Sequence, residues 1–238
     1  MPIPIHIPDQ PDAIYLATVL LLAAAVSLVI ATRAVAIVRA DPVKSTVPTY
    51  VGLMAVIAAA GAFFDPQALR EALAIDVVRS IVLGTAGIAA AWMIDRAIVR
   101  RVGRARSATR RPARTAASSA AASSPLAPIL WAGAPLTIVG GCLEEVMYRY
   151  LVLGLVVGAT ASVWLAAVVA TISYALIHAG FGWTQVLAKA ALGILFLALL
   201  ALGGGLLAPM LAHAGFNALA LRSLQRPRAT RPVRTART

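Results

Sequence analysis

Two neighbouring glutamates, Glu144 and Glu145, lie within one of the most apolar stretches of the chain, and they are the only acidic residues after Asp95. Placing a carboxylate in hydrocarbon costs roughly 2.5–3.5 kcal/mol on insertion scales. Two adjacent carboxylates in such a stretch therefore indicate a functional role. On a helix, Glu145 and Arg149 share a face and can form an ion pair. Glu144 then points about 100° away from that pair. The spacing therefore predicts a structural role for Glu145 and leaves Glu144 available for chemistry.

Two histidines and an asparagine follow the glutamates in separate apolar stretches. Tyr174 and His178 lie four residues apart in one stretch, and His213 and Asn217 lie four residues apart in another. Residues at this spacing share one face of a helix. A single histidine in this setting is more often an interhelical hydrogen-bonding residue. The combination with two glutamates and an arginine favours a pathway, a proton relay or a catalytic site.

Hydrolysis is the chemistry that these side chains support. A carboxylate with a nearby imidazole can hold a water and take its proton as the water attacks a carbonyl. A second histidine and an asparagine can donate hydrogen bonds to the oxyanion that forms. The Gly-x-Ser-x-Gly motif of serine hydrolases is absent, which favours water as the nucleophile. Glutamate and histidine could instead bind Zn²⁺, although the His-Glu-x-x-His motif of zincins is also absent.

The order of these motifs resembles that of a known family. Glu-Glu-x-x-x-Arg at 144–149, aromatic-x-x-x-His at 174–178 and His-x-x-x-Asn at 213–217, all in apolar stretches, look like the CPBP family. That family comprises the type II CAAX prenyl endopeptidases and the bacterial Abi proteins that process bacteriocins or confer immunity to them. The resemblance covers roughly residues 130–222, and 206–218 look like the family's last motif almost throughout. The chain departs from the family pattern at Tyr174, where Phe is usual, and at Tyr150, where Gly often follows the arginine.

The resemblance implies a role for each matching residue. Glu144 would be the general base that activates water, and His178 would help to hold that water. His213 and Asn217 would form the oxyanion hole, while Glu145 and Arg149 match the second glutamate and the arginine, which their spacing indicates to be an orienting pair. The expected enzyme is a membrane-embedded, glutamate-type protease without a cofactor. If it is metal-dependent, the ligands would be Glu144, His178 and His213, with zinc as the metal.

Composition and charge indicate a multi-pass membrane protein. The 238 residues are 61% hydrophobic and only 13% charged, whereas a soluble domain carries about 25% charged residues. The net charge of +12 is concentrated in two places: eight arginines lie within 96–114 and six within 222–237. In a membrane protein such segments indicate the cytoplasmic side and contact with anionic lipids rather than with nucleic acid. The N-terminus is accordingly expected outside the cell membrane and the C-terminus in the cytoplasm.

The apolar stretches predict an all-α bundle of about seven transmembrane helices. Three spans are expected in an N-terminal region, 1–99, at 14–38, 50–64 and 75–99. A basic, Ala/Ser-rich cytoplasmic linker follows at 100–127. The catalytic core, 128–222, is expected to have a broken segment before the glutamate pair, ending at Gly140-Gly141, and then helices at about 143–158, 161–179, 183–202 and 206–222. A basic disordered tail, 223–238, completes the chain.

Three functions are consistent with these features. The first is an intramembrane endopeptidase that hydrolyses a peptide bond of a membrane-associated protein or peptide near the cytoplasmic leaflet. The second is a non-proteolytic bacteriocin-immunity or peptide-binding membrane protein on the same fold. The third is a small transporter that uses Glu144 and His178 as a proton relay. The chain shows no internal repeat of the kind common in transporters, and a relay needs neither His213 nor Asn217. The pattern therefore favours the endopeptidase.

Overall fold

The computed structural model describes residues 50–59, 76–109, 127–179, 182–203 and 205–225. Within these ranges the chain is helical and contains no strand. The helices are α1 (Tyr50–Ala59), α2 (Val77–Thr109), α3 (Ala127–Glu145), a π-helical turn (Val146–Val152), α4 (Leu153–Thr160), α5 (Val163–Leu176), α6 (Trp183–Gly203) and α7 (Leu207–Gln225). The all-α class predicted from the sequence is confirmed. The predicted span at 14–38, most of the linker and most of the tail lie outside the described residues.

The helix that carries the glutamate pair is not interrupted before it, so the predicted break at Gly140-Gly141 is wrong. Helix α3 runs through both glycines and through Pro135 to Glu145. The irregularity comes directly after the pair, where the backbone N–H of Leu153 donates to the carbonyl of Tyr148, five residues earlier. A turn of this width is rare and occurs mostly at functional sites. The glycines serve instead as a surface for close helix packing, as the site geometry shows.

The described helices end close to the breaks predicted from the sequence, although α4 continues through Gly158, where a break was predicted, to Thr160. Helix α4 ends at Ala161 in the left-handed conformation, with φ of 54°, and the Ser162 hydroxyl caps α5 by accepting from the Leu165 N–H at 3.3 Å. Gly182, with φ of 93°, directly precedes α6. A backbone in this region excludes most other residues, which explains the glycine. Helix α5 ends at Leu176, α6 runs from Trp183 to Gly203 and α7 begins at Leu207, so the described helices end beside the breaks predicted at 180–182 and 203–205.

The third predicted span is longer than expected. Helix α2 extends to Thr109, ten residues into the predicted linker. Alanine and arginine are strong helix formers, so a charged surface does not by itself end a helix. Proline is not reached until Pro112. The predicted count of seven transmembrane helices stays a prediction, because the structure describes only part of the chain.

The bundle packs around α7. Helices α2 and α3 both lie against α7, and α6 packs against α2, α5 and α7. Gly84, Gly87 and Gly215 permit the α2 contacts, since a Cβ at any of them would meet a neighbouring atom at 2.8 Å or less. A buried cluster that includes Met147, Tyr174 and other apolar residues from α1 to α7 fills the centre. The candidate site residues lie along this cluster.

Candidate active site

The glutamate pair lies at the contact between α3 and α7. Glu144 is 8% exposed and Glu145 is fully buried. A Cβ added to Gly141 would lie 2.7 Å from the Asn217 amide nitrogen and 3.2 Å from the His213 ring. Only glycine therefore lets α3 approach α7 this closely. The contact brings together four of the site residues predicted from the sequence, Glu144, Glu145, His213 and Asn217.

Glu145 is engaged at both carboxylate oxygens. Its Oε1 is 2.6 Å from the Nδ1 of His213, and its Oε2 is 3.1 Å from the Nε of Arg149. The guanidinium of Arg149 also donates to the Gly193 carbonyl at 3.3 Å and lies over the Tyr174 ring, 4.6 Å from the centroid. The ion pair predicted from the spacing of Glu145 and Arg149 is present, although the residues between them form a π-helical turn. The pair fixes the position of His213.

Glu144 has one carboxylate oxygen held and one without a hydrogen-bond partner. The phenol of Tyr50 donates to Oε1 at 2.6 Å. No group of the described residues hydrogen-bonds to Oε2, which is buried and lies 3.7 Å from the Nε2 of His213. A buried carboxylate oxygen normally has a partner, and an exception needs an explanation. Oε2 of Glu145 also lacks a hydrogen bond, but it forms the ion pair with Arg149 at 3.1 Å. Glu144 is thus the less constrained of the two acids, as its position outside the Glu145–Arg149 pair predicted.

His213 is oriented by Glu145 in the way that a carboxylate orients a catalytic imidazole. The Nδ1–H donates to Glu145, so in the neutral ring Nε2 is an acceptor, with the Tyr174 hydroxyl 3.5 Å away. The ring stacks on Phe196 at a centroid distance of 4.8 Å. This tautomer is inferred from the hydrogen bonds. Donation from Nε2 to an oxyanion requires a second proton on the ring, next to the Glu145 carboxylate.

Asn217 and His178 are held in place by hydrogen bonds to different helices. The Asn217 amide donates to the Thr137 carbonyl at 3.0 Å, which anchors it to α3. His178, in the turn after α5, donates from Nδ1 to the Tyr174 carbonyl at 3.0 Å. Its ring lies edge-on to the Tyr174 ring at 5.4 Å, and the Tyr174 ring in turn lies edge-on to His213. Tyr174 is therefore the packing link between the two histidines.

Two residues that the sequence reasoning missed belong to this region. Tyr50 reaches Glu144 from α1, and tyrosine at the start of an apolar stretch gives no signal of a distant contact. Lys189 interacts electrostatically with Glu144, Glu145 and Asp95, and its Nζ lies 4.8 Å from the Phe216 ring centroid. A charged side chain is costly inside an apolar helix, so lysine is as rare there as glutamate. That rule would have found Lys189.

The predicted alternative of a metal site does not fit this arrangement. Within the described ranges no three residues of the types His, Cys, Asp and Glu are placed to hold a metal ion together. The Nδ1 atoms of His213 and His178 bond to Glu145 and to the Tyr174 carbonyl, which leaves only the Nε2 atom of each ring for coordination. No step in the chemistry below is therefore assigned to a metal.

A comparison with protein-family models decides the family. Residues 126–219 match the model described as "Rce1-like: Type II CAAX prenyl endopeptidase Rce1-like". Residues 126–219 belong to the Rce1-like family. The CPBP resemblance predicted from the three motifs is thereby confirmed, and all six predicted site residues lie within the Rce1-like segment. That segment is less than half of the chain and excludes α1 and α2. Comparisons with curated proteins and with solved structures gave no match.

The Rce1-like family is a family of membrane-embedded proteases, and the surface of this bundle fits that environment. Two helical stretches, Val77–Val102 and Trp183–Gly203, are long and apolar enough to cross a membrane. Many large apolar side chains point outward, among them Trp164 at 85% exposed and Trp183 at 70%. Soluble proteins rarely expose apolar surface on this scale. The Rce1-like match of residues 126–219 and these apolar helices agree with a helical protein embedded in a membrane.

Proposed function

We propose that the protein is an intramembrane endopeptidase that hydrolyses a peptide bond of a membrane-associated protein or peptide. One observation carries this proposal: the buried Oε2 of Glu144 has no hydrogen-bond partner among the described residues and lies 3.7 Å from the Nε2 of His213. A carboxylate in this setting can accept a proton from a water molecule. The His213 ring and the Asn217 amide can donate hydrogen bonds to a developing oxyanion. The membership of this segment in a protease family supports the same conclusion.

The proposed reaction begins with a water hydrogen-bonded to Oε2 of Glu144. As the water oxygen attacks the carbonyl carbon of the peptide, its proton passes to Glu144, and the carbonyl oxygen becomes an oxyanion. His178 helps to hold the water, in the role that the family resemblance implies. When the C–N bond breaks, the proton passes from Glu144 to the leaving amine. Water is consumed, a carboxylic acid and an amine form, the acid then releases its proton to solvent or to the amine, and Glu144 is regenerated as a carboxylate.

The oxyanion is stabilised by Asn217 and His213 in this proposal. The Asn217 amide carries two N–H groups, of which one donates to Thr137 and the other can donate to substrate. His213 donates from Nε2 when its ring carries both protons, and the Glu145 carboxylate 2.6 Å from Nδ1 balances that charge. Arg149 in turn fixes Glu145. Glu145 and Arg149 thus act as positioning residues rather than as groups that contact substrate.

The proposed setting is the cytoplasmic leaflet of a multi-pass protein whose N-terminus is outside and whose C-terminus is cytoplasmic. The two arginine-rich segments, at 96–114 and 222–237, support this orientation because cytoplasmic segments carry the excess of Lys and Arg. The same segments are proposed to contact anionic lipids, at about 1 kcal/mol for each basic residue near the membrane surface. Nucleic acid is not among the proposed partners.

The test compares cells that carry wild-type protein with cells that carry Glu144→Gln, at matched expression, by mapping new protein N-termini in the membrane fraction. Glutamine keeps the shape of the side chain and can still accept from Tyr50, but it cannot take a proton from water. A matched control is Asp76→Asn, the same acid-to-amide change at an exposed position outside the site. Termini that are lost only in Glu144→Gln identify substrates. Identical maps with folded protein would contradict the proposal and favour the non-proteolytic immunity or peptide-binding function.

A further inference from the structure

Tyr50 makes the only described hydrogen bond to Glu144, and it comes from outside the Rce1-like segment. The phenol oxygen lies 2.6 Å from Oε1 across 94 positions of sequence. A separation of 2.5–2.7 Å is typical of an O–H donor bonded to an ionised carboxylate, which is about twice as strong as a neutral hydrogen bond. A distant helix thus supplies a strong contact to the proposed general base.

Helix α1 is held in place by packing that does not depend on the phenol. Met54 is fully buried and Val51 is 7% exposed. A Cβ on Gly140 would lie 3.2 Å from Val51, so α1 rests directly on the helix that carries Glu144. Leu53 also packs against the central cluster. The hydroxyl is therefore presented to Glu144 by a fixed backbone, and its removal need not unseat the helix.

The Tyr50 contact distinguishes the two oxygens of Glu144. Because Oε1 accepts from the phenol, Oε2 is the oxygen that remains for a water, and it is the one 3.7 Å from His213. Without the phenol, the carboxylate could rotate about its terminal bond, whose torsional preference is broad. Such a rotation would move Oε2 away from its present position, 3.7 Å from the Nε2 of His213. Misplacement by about 1 Å can cost about 100-fold in rate.

We infer that Tyr50 is a positioning residue for Glu144, which directs Oε2 towards the reacting water. This inference rests on the proposed function, because it assigns the base whose orientation Tyr50 fixes. It also extends the functional unit beyond residues 126–219, since α1 completes the surroundings of the base. Tyr50 acts through Glu144 and is not assigned a contact with substrate.

Tyr50→Phe is the first variant to test, because it removes the hydroxyl and keeps the ring. On a substrate identified by the comparison of N-termini, kcat should fall about 10- to 100-fold, as expected for loss of a hydrogen bond to a charged group. KM should stay near the wild-type value, and the unfolding temperature should fall by about 10 °C or less, because the packing of α1 is kept. Val56→Ala, on the exposed face of the same helix, should leave kcat unchanged. A wild-type kcat in Tyr50→Phe, or an effect on KM alone, would overturn the inference.

A second measurement needs no substrate. The chain has three glutamates, Glu71, Glu144 and Glu145, so ¹³C labelling of glutamate carboxyl groups isolates very few infrared bands. Tyr50→Phe should shift one labelled band, and the shift should be absent when Tyr50→Phe is made in a Glu144→Gln protein. Unchanged labelled bands would overturn the inference. If Glu144→Gln retains full activity, the proposed function fails instead, whatever Tyr50→Phe does.

Discussion

Gly141 determines how closely α3 approaches the two groups proposed to bind the oxyanion, so Gly141→Ala tests the site with a single methyl group. The added Cβ would lie 2.7 Å from the Asn217 amide nitrogen and 3.2 Å from the His213 ring. Ordinary contact begins at 3.4 Å, so Asn217 must retreat by about 0.7 Å. The ring of His213 has less freedom, because Glu145 holds it at 2.6 Å.

The effect on stability should be small. Rotation of Asn217 away from the methyl group breaks its hydrogen bond to Thr137, which contributes about 0.5–1.5 kcal/mol to the free energy of unfolding. Alanine in place of glycine inside a helix raises the free energy of unfolding by about 0.5–1 kcal/mol. These two terms nearly cancel. The effect on catalysis should be large, because displacement of positioned groups by about 1 Å can cost about 100-fold in rate. Gly141→Ala should therefore fold normally and lose most of its kcat.

The assay measures kcat and the unfolding temperature of purified protein in detergent, with Gly154→Ala as the matched control. Gly154 lies in α4, on the same continuous helical path, and a Cβ there meets nothing within 4 Å. That control should keep full activity and become slightly more stable. Wild-type kcat in a folded Gly141→Ala protein would refute the assignment of the α3–α7 contact as the oxyanion site. Loss of activity together with unfolding would refute the calculated balance of stability.

Three further predictions follow from the same contacts. Asn217→Ala should lower kcat by about 100- to 1000-fold with little change in KM, as for other oxyanion donors, and an unaltered kcat in steady-state assays would remove Asn217 from the site. Arg149→Met leaves the buried Glu145 charge without its arginine and should destabilise the protein by about 3–5 kcal/mol. An unchanged denaturation midpoint in detergent would show that His213 alone compensates the charge. Prolonged dialysis against EDTA should leave the rate of proteolysis unchanged, because the described donors do not form a metal site, and activity that is lost and then restored by zinc would contradict this arrangement.

The sequence predicts the composition of the site because ionisable residues in apolar helices are costly and therefore informative. That rule led to Glu144, Glu145, His178 and His213, and it applies equally to Lys189, which was overlooked. The ends of helices were also predictable at 180–182 and 203–205, where glycine supplies conformations or flexibility that other residues lack. In each case the signal is local to the chain.

Signals that depend on tertiary contact were not readable in the same way. Gly140 and Gly141 were interpreted as a place where the backbone turns or is closely approached, with a broken segment before the glutamates; they lie within an unbroken α3, and α1 and α7 approach them closely. A glycine pair in an apolar stretch is compatible with either outcome, and only the neighbouring helix decides between them. The π-helical turn after Glu145 likewise has no composition that distinguishes it from an α-helix. The contact from Tyr50 to Glu144 depends on how α1 packs, which no spacing in the sequence reveals.

The two adjacent glutamates have different proposed roles, and their partners come from different parts of the chain. Glu145 is paired within the Rce1-like segment, by Arg149 and His213. Glu144 is held by Tyr50, from a helix outside it. A chain could thus keep every residue of the three motifs and still lose the orientation of its base through a change in α1. The motifs alone therefore specify which groups are present, while the packing of α1 determines which oxygen of Glu144 is bonded to Tyr50 and which remains for the proposed water.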